Sequence, residues 1–394
     1  MFQGRYILGL VACIVLGLGA ASFFLRFFPS LLLPESPVLH TLGVRKPIVN
    51  GFLPYWLLTK ATPESLRQLN KITYFGLEID SDGTLVDKST PQEAEPGWHK
   101  LANGDFTQIV SPLKGNSDYS LLLHQSNEAS ISALLSEPVV HAGNLVSAVE
   151  PLMKQHGFTD LNIDIESFRT ASPEAQVRMS TFLREVKAQL NIRKLGTLTT
   201  ELTVASLVKQ ALMNPTEIGE ISDHVVLMAY DFRYTGSFTS GAVAPIGGAG
   251  EKIEYDIVKS VQLASQVIPS EKLQLGIPLY GYEWETLSYD PESPVVPGTG
   301  KTATSNRISE LLKTCTDCIT GRDELTGSPY LILPPNEDSA VQQIYYEDQE
   351  SIQKKLDLAK QYKLGGVAFW AIGYETPELL TPIRKYVNEY ELLF

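Results

Sequence analysis

Gly157-Phe158-Thr159-Asp160-Leu161-Asn162-Ile163-Asp164-Ile165-Glu166 is the stretch on which both the fold and the chemistry turn. Side chains of a strand alternate between its two faces, so Asn162, Asp164 and Glu166 point one way and Leu161, Ile163 and Ile165 the other. In a closed barrel the aliphatic set packs under the surrounding helices and the polar set points inward. Three inward polar groups, two of them acidic, are expensive in a dry interior unless they hydrogen-bond or do chemistry. Glu166 closes the strand at its C-terminal end, where barrel enzymes keep their reacting groups. The plainer reading is a strand end with solvated acids; the alternation favours the functional one.

Working outward, short β-rich apolar runs recur at 48–53, 72–79, 119–123, 161–165, 195–200, 224–229, 273–279 and 366–371. Helix-like segments lie between them, among them 144–155, 173–190, 253–267 and 350–362. Strand and helix alternate as in a parallel sheet, and eight such units predict an α/β fold of the (β/α)8 TIM-barrel type. An open doubly wound sheet is the alternative, but no dinucleotide-binding glycine fingerprint follows the first strand. From the seventh strand to the eighth the chain takes far more than a usual loop and helix. A small α+β insertion is therefore expected at 283–344, and loops leaving barrel strands wall the catalytic face.

The chain has 394 residues, with 32 Lys and Arg against 45 Asp and Glu, a net charge of −13. That sign argues against nucleic acid as a partner. Residues 6–25 are uncharged between Arg5 and Arg26. At about 1.5 Å per residue this run just spans a bilayer core. Residues 1–28 thus read as an N-terminal transmembrane segment, or as a signal cleaved near Gly19-Ala20-Ala21-Ser22. Residues 29–46, with Pro29, Pro34 and Pro37, read as a tether, and 47–394 as the barrel. The expected placement is membrane-anchored with the barrel outside the cytoplasm, or secreted after cleavage. Cys315 and Cys318 offer a disulfide, two free thiols, or half of a zinc knuckle that lacks nearby histidines. Pro297-Gly298-Thr299-Gly300-Lys301-Thr302 imitates a phosphate-binding loop, but Val295 stands where its first glycine belongs, so nucleotide binding is not expected.

The acidic strand resembles the signature D-G-x-D-x-D-x-E of glycoside hydrolase family 18, the chitinase and N-acetylglucosaminidase family. Its eight places are filled by Thr159, Asp160, Leu161, Asn162, Ile163, Asp164, Ile165 and Glu166. Gly51-Phe52-Leu53-Pro54-Tyr55-Trp56 resembles the family's first strand, and Leu227-Met228-Ala229-Tyr230-Asp231 its sixth-strand M-x-Y-D. Val243-Ala244-Pro245, Gly276-Ile277-Pro278-Leu279-Tyr280-Gly281-Tyr282 and Gly365-Gly366-Val367-Ala368-Phe369-Trp370 extend the likeness. Tyr345-Tyr346-Glu347-Asp348 is similar to the bacterial branch that includes spore-germination glycosidases. The third strand, reading Leu121-Leu122-Leu123-His124-Gln125, lacks the family's S-x-G-G.

Ordinary glycosidases set two carboxyls on opposite sides of the scissile bond. Asp164 and Glu166 leave one face of one strand, with Cα atoms roughly 6.6 Å apart, and both approach the sugar from one side. This suits a substrate-assisted reaction, which the resemblance also implies: the sugar's own 2-acetamido oxygen attacks, with Glu166 as acid and then base and Asp164 orienting the acetamido group. The resemblance gives Tyr230 and Asp231 to the acetamido oxygen and the polar shell of the intermediate. Trp370 is the expected floor under the reacting sugar. Asn162, Met228, Tyr55, Tyr282 and Trp284 are further substrate-binding candidates, with Trp56 a weaker one. No metal or organic cofactor is called for. The expected function is a retaining hydrolase of N-acetylglucosamine-containing glycans, chitin oligomers or peptidoglycan. The alternative is a lectin-like carbohydrate-binding protein that keeps the barrel without the chemistry.

Overall fold

The computed structural model describes residues 46–391 apart from 114, 116 and 338. The anchor or signal expected at 1–28 and all but the last residue of the tether lie outside the described residues. Among the described residues no helix is long and apolar enough to cross a membrane.

Seven parallel strands follow one another around a barrel: β1 (Ile48–Pro54), β2 (Lys71–Glu78), β3 (Asp118–Gln125), β4 (Asp160–Ile165), β5 (Thr197–Thr203), β6 (His224–Met228) and β7 (Leu273–Pro278). An inserted antiparallel sheet comes next, formed by β8 (Tyr280–Thr286), β9 (Lys301–Thr304), β10 (Ile319–Arg322), β11 (Pro329–Leu333) and β12 (Val341–Tyr345) in the order β9-β8-β12-β11-β10. The last strand, β13 (Gly366–Trp370), returns to the barrel and pairs with β7 on one side and β1 on the other, Ile48 lying against Gly366 and Gly51 against Phe369.

The helices form where the apolar spacing and the end groups agree. Pro138–His156 (α1) begins with Pro138 in its first turn and stops at Gly157, whose φ of 75° is left-handed. Pro173–Arg193 (α2) is capped by Ser172, which accepts from Ala175 N–H at 3.2 Å. The two pack side by side. Leu145, Val149 and Leu152 on α1, and Met179, Leu183, Val186 and Leu190 on α2, are buried at helical spacing. Burying each such leucine contributes about 1.5–3 kcal/mol. Helix α3 (Ile257–Ala264) starts later than the 253–267 period suggests. Asp256 caps it by accepting from Lys259 N–H at 2.7 Å and spends its other oxygen on Ala249 N–H at 2.8 Å, which ties the preceding residues into a turn.

The interior of the barrel is layered. At the N-terminal end Asp160 accepts from Ser120 at 2.6 Å and from Thr199 at 2.9 Å, with Lys71 Nζ at 3.3 Å. Phe52, Leu122, Val226 and Ala368 form an apolar layer above it. The acidic residues of β4 rise through these layers to the C-terminal rim.

The insertion is α+β, as expected, but begins three residues before 283 and is continuous with β7, only Leu279 separating the two strands. Its helix α4 (Ser305–Thr314) leads to a disulfide between Cys315 and Cys318, with Cα atoms 5.7 Å apart. Gly281 is required by close approach: a Cβ there would lie 2.2 Å from the Tyr345 carbonyl oxygen. Lys301, from the loop that imitates a phosphate binder, opens a strand rather than a helix and lies 3.2 Å from buried Glu283, which Arg307 also holds with two nitrogens. Helix α5 (Gln349–Gln361) then leads to β13.

Candidate active site

The site is assembled at the C-terminal rim. On β4, Asn162 and Asp164 are buried inside the barrel and Glu166, one residue past the strand, is half-buried at its mouth. Burial raises the Asp164 carboxyl well above the usual range, and neighbouring Glu166 raises it further. Glu166 is raised by burial and by the charge of Asp231. The two carboxyls lie close enough to titrate jointly, each raised first of all by burial.

Tyr230 and Asp231 follow β6. The ring of Tyr230 lies against β7, where a Cβ on Gly276 would come within 2.8 Å of a ring carbon. Burial, Glu201 and Asp164 all raise its pKa, so it is a phenol donor at any working pH. Asp231 has a left-handed φ of 57°, tolerated better by Asp than by most residues. Two phenols hold it there: Tyr280 donates to Asp231 Oδ1 at 2.5 Å and Tyr282 to the same oxygen at 3.0 Å. The residue is exposed at the rim, yet its carboxyl is partly desolvated by the surrounding protein, which raises its pKa, and the phenol bonds oppose the rise.

Trp370 ends β13 half-buried, its ring 5.4 Å from that of Phe52 and 5.0 Å from that of Phe75, with one side of the insertion core beside it. The Trp370–Ala371 peptide is cis. Tyr55 is half-buried and meets Trp56 edge-on at 5.0 Å; Trp56 is 44% exposed. Met228 is half-buried at the end of β6. Two candidates require correction. Trp284 is fully buried in the core of the insertion and donates its indole N–H to the Tyr234 carbonyl at 3.1 Å, so it is packing and not a sugar platform. Asn162 is likewise fully buried, a layer beneath the rim, and donates to Glu201 Oε1 at 2.7 Å, so it supports the site rather than touching a ligand. Tyr282 is almost fully buried, with its hydroxyl committed to Asp231.

Three contributors escape a reading of the sequence. Glu201 on β5 is buried inside the barrel, its carboxyl raised well above the usual range by burial and then by Asp164. The inward alternation Thr197, Thr199, Glu201 signals it, but only if the strand is followed past Thr200. Tyr280 is signalled by its two-residue spacing from Tyr282, which puts both hydroxyls on one face. His124 pairs in register with Asp164 and stacks flat on Phe75 at 5.1 Å, and burial lowers its pKa. It fills the wall where the family's small residues were missing.

The raised carboxyls carry a stability signature. A glutamate protonated in the folded state but ionised above about pH 4.3 when unfolded stabilises the fold at low pH, and this contribution is lost as pH rises through its folded value. Buried His124, His156 and His224 act in the opposite sense between their lowered values and about pH 6.5. The effect is therefore best read as a difference: the melting temperature of the wild type relative to Glu201→Gln should fall steadily from pH 4 to pH 8. A constant difference would show that Glu201 titrates as it does in the unfolded chain.

Among the described residues no group of three His, Cys, Asp or Glu side chains could hold a metal ion. A closed parallel barrel with carboxyls, a phenol and a tryptophan ring gathered at its C-terminal rim is the architecture of a barrel glycosidase. The chain belongs to the glycosyl hydrolases family 18, matched over residues 50–375, and is a glycosyl hydrolase. It is 27% identical over 327 residues to the cortical fragment-lytic enzyme of Bacillus subtilis (strain 168), covering 82% of this chain and 68% of that protein. To the Nod factor hydrolase protein 1 of Medicago truncatula it is 27% identical over 273 residues, covering 64% and 67%. The chain thus spans about two thirds of the length of these relatives. Among solved structures, the spore cortex-lytic enzyme SleL of Bacillus megaterium QM B1551 matches with a TM-score of 0.67 at 23% identity, over 86% of this chain and 74% of that one. The Group IV chitinase of Ostrinia furnacalis matches with a TM-score of 0.74 at 18% identity, over 87% and 99%. These two establish likeness of fold.

Proposed function

We propose that the protein cleaves β-linked N-acetylglucosamine-containing glycans with retention of configuration, and that its natural substrate is the peptidoglycan of a cell wall. The observation that carries the reading is the disposition of the carboxyls. Asp164 and Glu166 rise from one strand, and Asp231, just past β6, has one oxygen tied down by two phenols. A bound carboxylate of that kind is a poor nucleophile, which leaves the substrate's acetamido oxygen to fill the role.

In this mechanism Glu166 gives its proton to the glycosidic oxygen as the C1–O bond breaks, while the acetamido oxygen bonds to C1 and closes an oxazolinium ring. Asp164 accepts from the acetamido N–H and balances the positive charge; Tyr230 donates to the acetamido oxygen before attack and helps orient it. Water then attacks C1, Glu166 takes up its proton, and the ring opens. Similarity to a cortical fragment-lytic enzyme supports a wall glycan over chitin. The barrel works outside the cytoplasm, either anchored through residues 6–25 or released by cleavage.

Purified peptidoglycan and chitin oligomers should be compared as substrates, with the reducing ends identified by mass spectrometry and the anomer fixed by NMR at early times. Release of the β-anomer from peptidoglycan is expected. The α-anomer would exclude the acetamido route, preference for chitin would reassign the substrate, and binding without turnover would favour the lectin-like alternative. Trp370→Ala should raise KM by about tenfold or more through loss of the ring face, with a drop of only a few degrees in Tm. A large fall in Tm at unchanged KM would assign the ring to the core instead.

A further inference from the structure

Glu201 has no part in the mechanism above, yet it lies among the acids that do. On β4 and β5 the register sets Asn162 against Thr199 and Ile163 against Thr200, so Asp164 and Glu201 are the next step along on the same inward face. Asn162 donates one N–H to Glu201 Oε1 at 2.7 Å. Asn162 Oδ1, Asp164 Oδ1 and Glu201 Oε2 are all buried and find no hydrogen-bond partner among the described residues. Three enclosed acceptors side by side cannot satisfy one another unless one of them carries a proton. The titratable groups facing Glu201 are Asp160 and Asp164 on β4, Glu166 just past it and the Tyr230 phenol just past β6, and none is a cation.

We propose that Glu201 is a positioning residue of the active site: a permanently neutral acid that accepts from Asn162 and donates its own O–H toward Asp164, fixing the orientation and ionisation of that carboxyl. The family signature has an aspartate where this chain has Asn162, and here the carboxyl beside that place is Glu201 on β5, bonded to Asn162. The inference rests on the functional reading above for its effect on turnover, but not for the location of the proton.

The two parts are tested separately. In protein labelled with 13C at the glutamate side-chain carboxyls, one resonance should stay at its protonated position through pH 8 and be absent in Glu201→Gln. If Glu201 titrates like a surface glutamate, the proposal is overturned whether or not any glycan is cleaved. If it holds its proton in a protein that cleaves nothing, the proton assignment stands and the functional reading falls. In kinetics, Glu201→Gln can still accept from Asn162 and donate to Asp164, and should keep kcat within about threefold. Glu201→Leu fills similar space without a donor; it should lower kcat by about tenfold or more at nearly constant KM, the scale of a misplaced reacting group. It should also move the acid limb of the pH profile to higher pH, because Asp164 then ionises without help. Equal losses in Gln and Leu with unmoved limbs would reduce Glu201 to packing and overturn the positioning role.

Discussion

Glu166→Gln is expected to lower kcat/KM on N-acetylglucosamine oligomers by at least about a hundredfold, the usual scale for losing a general acid. The amide keeps the shape of the side chain and removes only the transferable proton. Because Glu166 is half-enclosed, with a carboxyl raised by burial and by Asp231, a neutral amide is accommodated without penalty, and Tm should hold or rise slightly. The loss should fall on kcat, since the proton moves only in the transition state. Turnover near the wild-type rate would remove Glu166 from the mechanism.

Asp164→Asn is expected to give the second largest effect, a loss of up to about a hundredfold, on the scale of a misoriented reacting group. Its diagnostic value lies in the pH profile. In the wild type the pair is productive when it holds one proton, so activity falls at low pH when both carboxyls are protonated and at high pH when neither is. Asparagine leaves a single titrating group. The plateau should then extend to lower pH, and the basic limb should move acidward, because Glu166 loses its proton without a second negative charge beside it. A profile with both limbs unmoved would show that the two acids are not coupled.

The barrel was legible because eight short β-rich runs alternate with helix-like segments and because the alternation in 157–166 puts polar groups on one face and aliphatic ones on the other. The insertion was legible as an anomaly of spacing but not in its orientation. In Tyr280, Tyr282 and Trp284 the two-residue period is plain, yet it does not say which face meets the cleft. The packing decides: the tyrosine hydroxyls reach Asp231, while the Trp284 ring is enclosed by the insertion's own core. Glu201 was hidden because Thr199-Thr200-Glu201 reads locally as the polar end of a strand. Its importance depends on Asn162, which lies 39 residues away in sequence. The proton balance of the site is likewise a property of enclosure, and enclosure is set by the neighbouring strands rather than by the motif.

The seam between β1 and β13 joins Ile48 to Gly366, a separation of 366 − 48 = 318 positions. Ring closure over that distance is among the last and slowest contacts a chain can make. Phe52 comes from the opening strand and Trp370 from the closing one, so their ring contact exists only after the two ends have met. A nascent or truncated chain ending before Gly366 is therefore not a smaller enzyme. It is an open sheet with two apolar edges, at β1 and β7, each a template for pairing with another copy.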